Sequence, residues 1–295
     1  MTQVSWIIEN LVKEPSFLEL SEEAKKQGFP VQDIKGDFAH ADISHYKDQC
    51  VIFNGSIEMC KLVKSNLIAN GNSPITYSTF ENYLCSKYYG IFGKYLFNDR
   101  YVMLPLSELH RNFYHFYGVY GKEAMLFIRP DSGDKLFKAG LFDLKDFEDF
   151  YNQYEEFRNE LTIVSTPKNI RGEWRFVCTR HKEILAVSSY RYQGLTTKVP
   201  SAPTKATKLC EEILSVGYYP DSVFCIDICE DNDGDFWLME LTSFSSAGLY
   251  ATKKELIVKR VSEIALEDYY KSKNIISKFY HAEGGHGSGA YFNSS

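Results

Sequence analysis

The chain has no Cys-x-x-Cys pair. Its seven cysteines are an odd number and none has the spacing of a zinc site or a thiol redox motif. Nor does any stretch approach the roughly 18 apolar residues of a membrane span. The opening MTQVSWIIEN lacks a basic n-region and a long apolar core, so a reducing cytoplasm is the expected compartment. Positive charge is in deficit: 33 Lys and Arg against 39 Asp and Glu give −6, which argues against non-specific binding to nucleic acid or an anionic membrane. No internal repeat and no Walker A loop occurs. What the chain does have is 295 residues, 44% hydrophobic and 15% aromatic. That is enough for a soluble globular protein with a substantial core in two or three compact units.

The most informative stretch is VFCIDICEDNDGDFWLMELTS, residues 223–243. Two apolar runs, Val223–Cys229 and Phe236–Leu241, flank the turn formers Asp231-Asn232-Asp233-Gly234, and this predicts a β-hairpin. Strand alternation puts Asp227 with Val223, Cys225 and Cys229, and Glu240 with Phe236 and Leu238. If four turn residues close the hairpin, Asp227 faces Leu238, and Glu240 is its diagonal neighbour on the same face. Two carboxylates on an apolar strand surface repel unless a cation separates them. Oxygen ligands of this kind suit Mg²⁺. The alternative is that Asp227 pairs with an Arg while Glu240 sits at a wet strand end.

Before the hairpin the sequence predicts a small, mostly parallel α/β unit over the first ~70 residues. Its strands are Ser5–Glu9, Pro30–Ile34 and Cys50–Phe53, and its helices Ser16–Gly28 and Ser56–Leu67. Asn54 and Gly55 end a strand, where a turn role is expected. Helices follow at Glu81–Leu96, Leu106–Tyr117 and Lys145–Glu160, with aromatics at spacings that suit packing. Strands are expected at Ala124–Arg129, Thr162–Ser165, Glu173–Thr179 and Glu183–Tyr190, and further helices at Ala206–Val216 and Glu255–Lys271. The last stretch, EGGHGSGAYFNSS, is too poor in apolar residues to fold alone and reads as a flexible tail; His281 and His286 do not suffice for a metal site.

Arg129 ends a strand and precedes a Gly-containing loop with Lys135 and Lys138. Such a loop offers charge and free N–H groups to phosphates. In order along the chain stand this Arg with two lysines, Gly172-Glu173-Trp174-Arg175-Phe176, Ser188-Ser189-Tyr190-Arg191, Asp227, and the run from Glu240 to Tyr250. Together these resemble the Arg-and-two-Lys clade of ATP-grasp proteins, many of them from phages and bacteria, over roughly residues 80–280. The resemblance implies an α+β fold in which two α+β subdomains clamp ATP, preceded by a small α/β pre-ATP-grasp domain. The corresponding boundaries are 1–79, 80–160 and 161–281, with a tail at 282–295. It also implies that Arg129 and Lys138 contact phosphates and that Lys135 lies in a mobile loop above them; Gly133, flanking acids and lysines, with little apolar area, make Ser132–Leu136 an expected lid, displaced when no nucleotide is bound. Ile163, Val164 and Ser165 would lie near the adenine hinge, with Glu173 and Arg175 sharing a strand face. Arg175 and Arg191 are candidates for the γ-phosphate or an acyl-phosphate, the alternative being ion pairs with nearby acids. Asp227, Glu240 and Thr242 would be the metal ligands. Thr242 stands where the family has Asn, a departure that bears on the second metal position.

The function so implied is an ATP- and Mg²⁺-dependent carboxylate–amine or carboxylate–thiol ligase that forms an acyl-phosphate and releases ADP. Its partners would be ATP, a carboxylate-bearing small molecule or peptide, and an amine donor, with no membrane and no nucleic acid. Three rivals are a degenerate nucleotide-binding module, a kinase-like phosphotransferase and a nucleic-acid end-joining ligase.

Overall fold

The structure, a computed structural model, describes residues 2–10, 14–35, 46, 48–69 and 77–283, with side chains as far as residue 273. The Gly/Ser-rich stretch from 284 onward and the side chains of His281 and His286 therefore lie outside what is described. The first unit comprises β1 (Val4–Glu9), α1 (Pro15–Lys26), β2 (Val31–Ile34), β3 (Cys50–Asn54) and α2 (Ile57–Ala69). Its three strands form a parallel sheet of order β2-β1-β3, as the βα alternation predicts. Ser56 caps α2, its hydroxyl accepting from the Met59 N–H at 3.2 Å.

The second group is α3 (Cys85–Phe92), β4 (Tyr101–Pro105), α4 (Leu106–Arg111), α5 (Phe113–Tyr120), β5 (Leu126–Pro130), β6 (Gly140–Phe142), α6 (Leu144–Gln153) and β7 (Leu161–Ser165). Its strands form an antiparallel sheet of order β4-β7-β5-β6. The last group is β8 (Ile170–Thr179), β9 (Ile184–Tyr192), β10 (Leu195–Val199), α7 (Thr204–Val216), β11 (Val223–Asp231), β12 (Phe236–Ser243) and α8 (Lys254–Glu283). It forms an antiparallel sheet of order β10-β9-β8-β11-β12. Among the described residues no helix is long and apolar enough to cross a membrane.

Three helices expected as single rods are broken. Leu84 is extended (φ −61°, ψ 129°), so a 3₁₀ turn at Phe80–Tyr83 precedes α3, and the Cys85 N–H donates to the Asp131 carbonyl across the chain. Asn112 separates α4 from α5, and Tyr154 ends α6 before a 3₁₀ turn at Glu155–Phe157. Periodicity of aromatic residues persists through such breaks because a 3₁₀ turn still points every third side chain inward. Strands β4, β6 and β10 are short or half-exposed and carry little pattern to read.

The β8–β12 sheet is covered on both faces. Trp174, Phe176, Phe224, Ile226, Leu238 and Leu241 pack with α3 and α7 on one side. On the other, Val177, Val223 and Cys225 join a core with Trp6, Phe17, Ile52 and Phe244 and with Ile257, Val258 and Val261 of α8. The parallel sheet and the large antiparallel sheet thus share one interior. The Gly55 N–H donates to the Ser245 carbonyl at 2.9 Å, and the Asn54 amide to the Phe244 carbonyl at 2.8 Å. The end of β3 is in this way pinned to the turn that follows β12.

Candidate active site

On the face of the large sheet that carries Val177 and Cys225, the strands end in charge rather than in apolar residues. Asp227 of β11 stands directly opposite Arg175 of β8 and Glu240 of β12. The hairpin register differs from the diagonal expected of a regular four-residue closure. A bulge between Asp227 and Ile228 leaves Met239 as the extra residue, so Ile228 faces Leu238 and Asp227 faces Glu240. A second bulge, at Tyr190 of β9, brings Glu173 opposite Arg191. Bulges of this kind re-aim side chains at the ends of strands. Here the first brings two carboxylates into register and the second a carboxylate and an arginine, pairs that regular pairing would stagger.

Arg175 forks onto Asp227, with Nε to Oδ1 at 2.8 Å and Nη2 to Oδ2 at 2.6 Å; Asp227 is 0% and Arg175 5% exposed. Its remaining arm donates to the Gly248 carbonyl at 3.0 Å. The guanidinium also lies over Tyr190 and Tyr250, 5.7 and 5.2 Å from their centroids, and those rings stack at 4.8 Å. Arg175 is thus held in the ion pair that the sequence left as its alternative. Arg191 likewise pairs with buried Glu173 at 3.6 Å.

Glu240 is approached from the other sheet. Arg129 of β5 brings Nη2 to 3.2 Å from Glu240 Oε2, and Lys135, at φ 56°, brings Nζ to 3.8 Å from Oε1. Burial opposes charge on Glu240, but Lys135, Arg129 and Arg175 outweigh it and hold the carboxyl at about 2. Burial raises Asp227, and Arg175 works against that rise. Thr242 points its hydroxyl between them, 3.5 Å from Asp227 Oδ2 and 3.4 Å from Glu240 Oε1.

Two antiparallel sheets facing across a cluster of carboxylates and arginines is the arrangement that the motif order led one to expect. The profile of one family, family 2 of the Arg-and-two-Lys clade of ATP-grasp domains, matches residues 111–259, just over half of the chain. The chain belongs to this ATP-grasp family. Solved ATP-grasp structures share its fold. D-cycloserine synthetase DcsG aligns with a TM-score of 0.61 over 89% of this chain and 99% of its own at 11% identity. D-alanine–D-alanine ligase from Bacillus anthracis in complex with ATP gives 0.60 over 92% and 100% at 12%. Macrocyclase MdnC from Microcystis aeruginosa, bound with its precursor peptide MdnA, gives 0.58 over 90% and 100% at 12%. At such identities the likeness is one of fold. No curated protein matches the sequence.

An ATP-grasp fold implies ATP, and the donor set fits a Mg²⁺-bound nucleotide in part. Asp227, Glu240 and Thr242 offer only oxygen, the preference of a hard cation. Among the described residues no group of three His, Cys, Asp or Glu side chains is placed to hold a metal alone, so phosphate oxygens would have to complete its shell. Buried atoms near the cluster stay without hydrogen-bond partners: Arg129 Nε and Ser165 Oγ. A polar ligand between the sheets would satisfy them.

The remaining expected residues separate by strand face. Ile163 and Ser165 of β7 share one face, where Ile163 meets Tyr88 and Tyr89, whereas Val164 is buried on the other among Leu126 and Phe147. Only the backbone of Val164 is left to serve an adenine hinge. Lys138 is exposed, makes no ion pair among the described residues, and lines a depression with Phe142 and Asp149. The Ser132–Leu136 segment, expected as a lid, is folded down. Asp131 accepts from the Ser86 N–H, Lys61 of α2 pairs with Asp134, and Gly133 packs against Tyr83. Sequence reasoning missed Tyr190 and Tyr250 as site residues. Their signal was position, each within a run already singled out.

Proposed function

We propose that the chain is an ATP- and Mg²⁺-dependent carboxylate–amine or carboxylate–thiol ligase working through an acyl-phosphate. The observation that carries this reading is the convergence of Arg129 of β5 and Lys135 of the loop after it on Glu240, which stands opposite Asp227 in the other sheet. Asp227, Glu240 and Thr242 would hold the metal, which when bound neutralises charge on the phosphates. Lys135 and Arg129, on entry of ATP, would exchange part of their hold on Glu240 for phosphate oxygens. A substrate carboxylate oxygen would attack the γ-phosphorus and ADP would leave. An amine or thiol would then attack the acyl carbon, losing a proton and expelling phosphate. Positioning and electrostatics suffice, with no protein nucleophile. By name, the solved structures of this fold include a synthetase, a ligase and a macrocyclase, which supports the class without choosing the substrate.

The test is to incubate the protein with ATP, Mg²⁺ and pools of amino acids or peptides, with hydroxylamine present. ADP together with a hydroxamate is the expected result. ADP without hydroxamate would point to a phosphotransferase, and AMP with pyrophosphate to an adenylating ligase. A second reading has its own support: both Asp227 oxygens are engaged by Arg175, as in a nucleotide-binding module that no longer turns over. ATP binding with no product from any pool would favour it.

A further inference from the structure

The most unusual surface outside the cluster is formed by α5 and α6. Helix α5 reads FYHFYGVY, with five Phe and Tyr, yet only Phe113 is buried and Tyr114 is 74% exposed. Beside it, residues 143–160 contain seven Asp and Glu against two Lys and Arg, a local −5 in a chain whose total is −6. Between the two helices runs a groove of about 640 Å³, with Tyr114, Tyr117 and Leu144 as apolar wall and three carboxylates, Asp143, Glu148 and Asp149, against the single cation Lys145 as polar lining. Asp143 is occupied as the cap of α6 and Glu148 meets His110 at 3.1 Å. Asp149 pairs with no cation among the described residues, and the same holds for nearby Asp146 and Glu156.

Two costs coincide here. Apolar ring surface stays in water, and uncompensated like charges repel one another. A single kind of occupant removes both. We propose that the α5–α6 groove docks a cationic peptide segment, rich in Lys or Arg, that places a large apolar side chain against Tyr114 and Tyr117. Apolar contact would supply affinity, and the acidic rim would steer encounter and select against anionic sequences. Tyr114 is the expected anchor, as an exposed ring with a polar tip. The inference is independent of the chemistry proposed between the sheets.

Fluorescence anisotropy with three labelled decapeptides tests it: alternating Lys and Leu, alternating Lys and Ser, and alternating Glu and Leu. The Lys–Leu peptide should bind at least about tenfold more tightly than either other, and more weakly as salt rises. Tyr114→Ser and Asp149→Lys should each weaken it at least about fivefold, while Glu211→Lys, on exposed α7 surface, leaves it unchanged. Tyr114→Leu and Asp149→Asn, milder at each position, keep the test open should either first variant misfold by circular dichroism. Equal binding of the two cationic peptides, no binding of Lys–Leu, or insensitivity to all four groove variants would overturn the proposal. So would a sedimentation shift from dimer to monomer in Tyr114→Ser, which would assign the groove to a second copy of the chain.

Discussion

Arg129 and Glu240 meet at 3.2 Å although they belong to sheets that share no strand. The contact lets a charge on one sheet set the ionisation of a carboxyl on the other. Substituting Glu240 by Gln should therefore remove the anion that both Arg129 and Lys135 face and leave a neutral amide oxygen, a weaker ligand for a hard cation. We expect Mg²⁺-dependent ATP turnover to fall by at least about a hundredfold, measured as ADP release. Turnover within a few-fold of the parent would exclude Glu240 from the chemistry.

Asp227→Asn should behave differently. Asp227 sits wholly buried on Arg175. Removing one member strands a buried guanidinium, a loss of about 3 kcal/mol or more. Urea melts should show it, and Asp227→Asn combined with Arg175→Met should recover part of the stability. A single variant as stable as the parent would show that Arg175 finds another partner.

Acid should act in opposite directions at two carboxyls. Glu240 is held at about 2, below its ordinary 4.5. Its stabilising contribution is thus present above pH 4.5 and lost as pH falls toward 2. Asp221 is pushed up to about 6, from 3.8, by burial against the opposing hydrogen bonds of Thr79 and Tyr83. Its contribution is present below 3.8 and lost as pH rises through 6, worth at most about 3 kcal/mol. Between pH 7.5 and 5 the parent should gain melting temperature relative to Asp221→Asn. Parallel curves over that range would show that Asp221 keeps an ordinary pKa.

Gly133 tests the folded-down loop. A Cβ there would meet Tyr83 Cβ at 2.5 Å and the Phe80 carbonyl oxygen at 3.0 Å. Gly133→Ala should lift the loop at a cost of about 1–3 kcal/mol, speed protease nicking between 131 and 136, and weaken the hold of Lys135 on the cluster. Unchanged nicking would mean that the 3₁₀ turn at Phe80–Tyr83 yields instead.

Much of this was legible because hydrophobic period and turn chemistry are local. The hairpin around Gly234, at φ 83°, and the parallel βα beginning both follow from neighbours a few residues apart. The Asp227–Glu240 pairing was half legible: alternation gave the face, but no residue type announces that Met239 is the one left over in a bulge. Arg175 was readable as a strand residue facing the site. Its commitment to Asp227, 52 positions away, depends on which strands become neighbours. The same holds for the stacking of Tyr190 on Tyr250, since aromatic pairs across loops leave no periodic trace.

The shared interior that joins Trp6 and Phe17 to Val177, Val223 and Phe244 bears on how such a chain could be rearranged. The stretch matched by the family profile, 111–259, holds the strands that carry Arg175, Asp227 and Glu240 but only part of the apolar surface that covers them. Transplanted alone, it would expose one face of its own sheet, and the turn at Phe244–Ser246 would lose the grip of Asn54 and Gly55. A chimaera that keeps the family segment and exchanges the first unit must match side-chain volumes across that interior. The family segment is therefore not a portable cassette: Glu14, just before α1, lies against Gly248, and the Ser16 hydroxyl accepts from the Leu249 N–H at 3.0 Å, so variation in the first unit reaches the turn beside Tyr250 through packing.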